Sequence, residues 1–249
     1  MNLGLIGAGR IGRVHGATIM TRIPGSRIVH IADPLEGAAR SLAQELGVPT
    51  AGRDPDAVIT DPAVDAVLIC SSTDAHPEQV VAAARAGKHV FCEKPVDLDL
   101  RRLDAVLGAV RRAGIKLQVG FNRRFDPDFA HMRRVIAAGG IGAPEILRIT
   151  SRDPAPPPAE YVAVSGGMFL DMTVHDLDMA RFLMGAEVTE VHVTAGVLVD
   201  PAIGAAGDVD TAILSLRFEG GAVGAIDNTR RAAYGYDQRA EVLGSEGMV

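Results

Sequence analysis

The sequence predicts an α/β protein: a doubly wound parallel sheet, then a second α+β domain on a largely antiparallel, open-faced sheet. Three observations predict it. Up to residue 119, short and mostly unbroken apolar runs alternate with helical patterns, as parallel strands covered on both faces and joined by right-handed crossovers require. After Gly120 the later segments alternate apolar and polar residues with period two, the pattern of a sheet packed on one face and open on the other. The 249 residues, 47% of them hydrophobic, suffice for two cores. The expected division is 1–119 and 120–249.

Each element has its own signal. The first five strands are expected at Leu3–Ile6, Ile28–Ala32, Ala66–Cys70, His89–Cys92 and Ile115–Val119. Between the last two, Leu103, Val106, Leu107 and Val110 recur at i, i+3, i+4, i+7 along one helical face. A helical stretch around Phe129, Met132 and Ile136 leads to a strand at Glu145–Ser151. DPAPPPAEYVAVSGG then reads as a proline- and glycine-rich loop, followed by a helix from Phe169 to Met184. Val191, Val193, Ala195 and Val197 mark one strand face, and Ala212, Leu214, Leu216 and Phe218 another, with Glu219-Gly220-Gly221 turning into a strand at Ala222–Thr229.

A formal net charge of −6 offers no broad basic field, so nucleic acid is not an expected partner. The arginine pairs Arg101-Arg102 and Arg133-Arg134 read as solvated helix faces. Cys70 and Cys92 lie in apolar strand runs, where reduced thiols behave as small hydrophobes. No apolar run reaches the roughly 18 residues of a membrane helix, and Asn2 already begins a strand. A soluble cytoplasmic protein is expected.

The stretch GLIGAGRIGRVHG, residues 4–16, carries the first chemistry. Gly7, Gly9 and Gly12 follow a strand and open a helix whose apolar face includes Ile11, Val14 and Ala17. There the first glycine makes the turn, the second admits a pyrophosphate and the third allows close helix packing, while the helix N-terminus supplies N–H groups for phosphate. Asp33 ends the second strand, where a carboxylate accepts from ribose hydroxyls and repels a 2′-phosphate. Pro34 stands where an arginine would welcome that phosphate. NAD is therefore expected rather than NADP; the alternative for Asp33 is a helix cap.

In such sheets ligands bind beyond the carboxyl ends of the strands. SSTDAHPE and EKP emerge there, and Lys94 is expected to project toward the nicotinamide, the alternative being a solvated surface lysine. In DMTVHDLDMARFLMG, Asp171 and His175 are four residues apart on one helical face. A carboxylate beside an imidazole suits proton transfer; a surface pair or a satisfied core histidine is the alternative reading. No third ligand is spaced for a metal, and none is expected.

AGRIG, CEKP, VGFNRRFDPDF and FLDMTVHDLDMARFLMG together resemble the Gfo/Idh/MocA oxidoreductases, and YGYDQRAEVLGSEGM narrows the likeness to inositol 2-dehydrogenases. The resemblance runs over the whole chain. It implies a Rossmann first domain, a catalytic set of Lys94, Asp171 and His175, and oxidation of a ring alcohol with NAD. The implied cofactor contacts are Gly7, Gly9, Arg10, Ile11, Gly12, Asp33, Ser72, Thr73, His76, Glu93 and Lys94. Substrate contacts are Lys94, Arg123, Asp153, Asp171, His175 and Tyr236. Asp153 departs from relatives that present asparagine, a change that bears on which polyol fits. His76 either lies beside the nicotinamide ribose or caps the following helix. His15, His30, His89, His131 and His192 have nothing beside them in sequence to raise a functional reading. A homo-oligomer is expected through the open sheet face. Relatives continue several dozen residues further, so the second domain is expected to be incomplete at Val249. The competing functions are a dehydrogenase of another sugar and a catalytically silent NAD-binding sensor.

Overall fold

The apolar runs of the first 120 residues pair as one parallel sheet of six strands in the computed structural model, which describes residues 1–249 with the side chains of residues 159 and 163 left aside. In chain order the elements are β1 (Asn2–Ile6), α1 (Arg10–Arg22), β2 (Arg27–Ala32), α2 (Glu36–Leu46), β3 (Thr50–Gly52) and α3 (Pro55–Thr60). They continue with β4 (Ala66–Ile69), α4 (His76–Arg85), β5 (His89–Cys92), α5 (Leu100–Ala113) and β6 (Leu117–Val119). The strand order is β3-β2-β1-β4-β5-β6, so the order reverses between β1 and β4, the place where such sheets bind ligands. Every residue of β4 is buried, as a central strand covered by helices on both faces requires. β3 was not legible beforehand: TAG is short and lacks an apolar run, and its partner β2 recruits it. Val14, expected on the buried face of α1, is exposed.

The remainder forms a second unit, and the chain divides at Met1–Gly120 and Phe121–Val249. Its elements are α6 (Pro127–Ala137), β7 (Pro144–Arg152), α7 (Ala159–Ser165), a π-helical turn (Phe169–Thr173) and α8 (Val174–Met184). Then come β8 (Val188–Gly196), α9 (Pro201–Ala205), β9 (Thr211–Phe218), β10 (Val223–Thr229), β11 (Asp237–Gly244) and β12 (Gly247–Met248). The sheet order is β12-β11-β7-β10-β9-β8. All its neighbours are antiparallel except β7 and β10, because the helices after β7 carry the chain across before the β8-β9-β10 meander returns it.

Period two is visible in the burial. Leu147 and Ile149 of β7, Leu214, Leu216 and Phe218 of β9 and Ile226 of β10 pack with Met168, Met172, Met179 and Leu183 from the helical side. The intervening residues, Ile146, Ile213 and Val223 among them, remain exposed. Three expectations are corrected. The proline-rich segment contains α7, which starts directly after Pro158 and ends at Gly166 in the left-handed conformation. The helix expected from Phe169 begins as a π turn. β8 stops at Gly196, leaving Val197 outside it.

Candidate active site

The glycine loop after β1 is built by close approach. Gly7 has φ +99°, and a Cβ there would lie 2.4 Å from the Cys70 backbone. A Cβ on Gly12 would lie 1.9 Å from the Gly7 carbonyl oxygen, so no larger residue fits the closed loop. Gly9 is different: its Cβ would meet nothing within 4 Å, which leaves that side open. No side chain caps α1, so its first-turn N–H groups remain for an anion. The Asp33 carboxylate ties the loop down, accepting from the Ala8 N–H (2.8 Å) through Oδ2 and from the Leu35 N–H (2.8 Å) through Oδ1. Each oxygen keeps acceptor capacity for a hydroxyl. Open backbone, uncapped helix and acidic strand end fit a dinucleotide. Arg10, exposed, and Ile11 stand in the first turn of α1, and Ser72 and Thr73 at the turn between β4 and α4.

The EKP segment leaves β5 directly. Glu93 is tied on both oxygens: Oε1 pairs with His15 Nε2 at 2.6 Å, and Oε2 accepts from the Lys94 N–H at 3.3 Å. Burial works to raise this carboxyl, but the His15 bond and charge, with the Lys94 N–H, hold it below the usual range. Gly120 leaves room for it, since a Cβ there would approach Oε2 to 2.8 Å. His15 thus gains a role the sequence did not show, because its partner is 78 residues away. His76 does not cap the following helix: its ring is taken up by backbone carbonyls. Its ring is 1% exposed, with Nδ1 at 2.8 Å from the Pro95 carbonyl oxygen and Nε2 at 3.1 Å from that of Ser71. It fastens the EKP segment to the loop after β4. Beneath both loops Cys70 and Cys92 are free, buried thiols, and burial pushes the Cys92 thiol up to about 12.

In the second unit the π turn carries Asp171, and α8 begins one residue before His175. A π turn inserts a residue into the helical ladder, and such insertions gather at functional sites. The Tyr161 hydroxyl donates to Asp171 Oδ1 at 2.9 Å, and Arg230 NH1 reaches Oδ2 at 3.5 Å. The His175 ring meets the edge of Phe121, centroids 6.1 Å apart at 87°.

Below them runs a buried polar network. Arg123 NH1 donates to Asp176, and Asn228 Nδ2 donates to the other Asp176 oxygen at 2.9 Å. The Thr173 hydroxyl donates to Asn228 Oδ1 at 2.7 Å, and Gln238 Nε2 to Ser151 Oγ at 2.7 Å. Burial pushes the Asp176 carboxyl up, while Arg123 and Asn228 draw it back. Alongside, Arg124 grips both oxygens of Asp178 (2.8 and 2.6 Å). Arg123 therefore spends part of its guanidinium on holding α8. Asp153 follows β7, its N–H bonded to the Thr229 carbonyl at 3.0 Å, and Tyr236 is exposed before β11. Tyr161, Arg230 and Asp176 were not singled out from sequence. Only Asp176 left a signal there, beside the Asp171/His175 pair.

Comparison with known proteins agrees with this two-unit fold. Residues 1–121 match the family model described as an oxidoreductase family with an NAD-binding Rossmann fold, and residues 129–249 match the GFO/IDH/MocA C-terminal domain. The chain is 54% identical over 249 residues to a myo-inositol 2-dehydrogenase of Thermotoga maritima, covering all of this chain and 74% of that protein. It is 42% identical over 245 residues to a scyllo-inositol 2-dehydrogenase (NAD(+)) of Bacillus subtilis, covering 98% and 72%. The crystal structure of a scyllo-inositol dehydrogenase of Lactobacillus casei, with bound NAD(H) and scyllo-inositol, superposes with a TM-score of 0.93 at 32% identity, covering all of this chain and 75% of that one. With both units matched in order along the whole sequence, the chain belongs to the GFO/IDH/MocA oxidoreductase family.

Proposed function

We propose that this protein oxidises a ring hydroxyl of a cyclic polyol, myo-inositol to the 2-keto inosose, with NAD. The observation that carries the reading is the Asp171 carboxylate, held by Tyr161 and Arg230 one turn before His175, in a chain whose first unit builds a dinucleotide loop. NAD, when bound, supplies the hydride acceptor. Gly7, Gly9 and Gly12 with the first turn of α1 hold its pyrophosphate, and Asp33 its ribose.

The protein's own part is proton movement and orientation. His175 accepts the hydroxyl proton as the carbinol hydride leaves, Lys94 donates a hydrogen bond to the same oxygen and stabilises the developing alkoxide, and Asp171 orients the imidazole and the substrate. Arg123, Asp153 and Tyr236 complete the substrate contacts in this reading. Ser72, Thr73, Arg10, Ile11 and Glu93 line the cofactor side.

The protein works in the cytoplasm as a homo-oligomer. Two free buried thiols suit a reducing compartment, and no helix among the described residues is long and apolar enough to cross a membrane. Exposed Leu243, Ile146 and Val223 stand side by side across β11, β7 and β10, an apolar row suited to a second copy.

The test is NADH formation with NAD or NADP against myo-inositol, scyllo-inositol and glucose, beside His175→Ala. Activity with NAD and an inositol is expected, falling ~10²- to 10⁴-fold in the variant with NAD affinity kept. Activity on glucose alone would reassign the substrate. NAD binding without turnover of any polyol would leave the sensor reading.

A further inference from the structure

Arg230 is the largest fully buried side chain of the molecule's described residues, 2% exposed. Its Nε and second terminal nitrogen have no hydrogen-bond partner among the described residues, while NH1 lies 3.5 Å from Asp171 Oδ2. A desolvated guanidinium needs a counter-charge nearby, and Asp171 is the carboxylate within ion-pair distance of it.

The backbone that delivers Arg230 is rigid. The residue follows β10 directly, and its N–H donates to the Asp210 carbonyl at 2.9 Å. Asp210, itself fully buried, accepts from the Leu198 N–H at 2.8 Å, the Val199 and Asp200 N–H groups at 2.9 Å and the Thr211 hydroxyl at 3.0 Å. The end of the sheet thus fixes one guanidinium against one carboxylate of the π turn, and Tyr161 holds that carboxylate's other oxygen from α7.

We propose that Arg230 is a positioning residue of the active site: it holds Asp171 from the sheet side as an ionised carboxylate of fixed orientation, so that Asp171 orients rather than carries the proton. This rests on the dehydrogenase reading above. The buried pair itself does not, which lets the two be tested apart.

The experiment is a double-mutant cycle with Arg230→Met, Asp171→Asn and the double variant, with Arg230→Lys beside them, read by thermal melting, NAD affinity and steady-state kinetics. Asp171→Asn leaves the guanidinium buried without a counter-charge, so its melting temperature falls by about 6 °C or more, and adding Arg230→Met recovers much of that loss. In turnover, Arg230→Met lowers kcat about 10- to 100-fold, part of what positioned proton transfer contributes, with the polyol KM and NAD affinity within about threefold and partial rescue in Arg230→Lys. Added to Asp171→Asn, it lowers kcat little further. Melting losses that simply add overturn the pair. Coupled melting with unchanged kcat in Arg230→Met overturns the positioning role. Coupled melting in a wild-type protein that turns over no polyol sinks the dehydrogenase reading, and the positioning role with it, while the buried pair stands. If Arg230→Met does not fold, Arg230→Lys carries the cycle.

Discussion

At the scale of single residues, two glycines of one loop do different jobs. Gly12 is required by the protein itself, because a Cβ would meet the Gly7 carbonyl oxygen at 1.9 Å. Gly9 meets nothing of the protein, so the requirement there comes from what binds. Gly12→Ala should cost about 1–3 kcal/mol through overpacking against backbone, lowering the melting temperature and weakening NAD together. Gly9→Ala should leave the melting temperature unchanged and weaken NAD alone. Melting curves and NAD titrations of both variants check this, and a Gly12→Ala protein with wild-type melting and affinity would refute it. The glycine spacing and Asp33 were legible in sequence because both partners lie near in the chain. His15 was not, since its Glu93 partner is distant and only the stacking of α1 beside the parallel sheet makes them neighbours.

At the scale of elements, caps and turns set where helices begin. Asp126 opens α6 by accepting from the Asp128 N–H (2.9 Å) and the Phe129 N–H (3.4 Å), with Pro127 in the first helical position. Asp126→Ala should cost about 1 kcal/mol, a fall of roughly 2–4 °C in melting temperature for a chain of this size. NAD affinity should be unaltered, because α6 belongs to the unit without the glycine loop. An unshifted melting temperature would mean that tertiary packing, not the cap, fixes that helix end. Asp99 opens α5 in the same way, accepting from the Arg101 N–H at 2.8 Å, while the sequence showed α5 and α6 through their apolar spacing. The π turn was not legible there, because no residue type marks the point at which one residue is inserted into a helical ladder. It decides how Asp171 is presented to Tyr161 and Arg230.

At the scale of the molecule, each unit pairs a fully covered or half-covered sheet with its helices, and the half-covered one keeps an exposed apolar row. Leu243, Ile146 and Val223 form an apolar row in register on the open face. If the homo-oligomer proposed above forms through this row, Ile146→Lys should place unpaired charges in the centre of a self-complementary contact and yield a monomer. Light scattering on a sizing column checks it, and an unchanged mass would move the interface elsewhere.

What the sequence determined by itself was periodicity, spacing and local chemistry: the doubly wound sheet, the glycine loop with Asp33, the position of Lys94 after β5, and the closeness in sequence of Asp171 and His175, which the structure divides between the π turn and α8. These are short-range facts, written within one element or one turn. The tertiary structure decided which distant side chains share a buried, low-dielectric space: His15 with Glu93, Arg123 with Asp176, and Arg230 with Asp171. Such pairings carry no periodic signature, because burial and charge compensation are settled only when strands far apart in the chain are laid side by side.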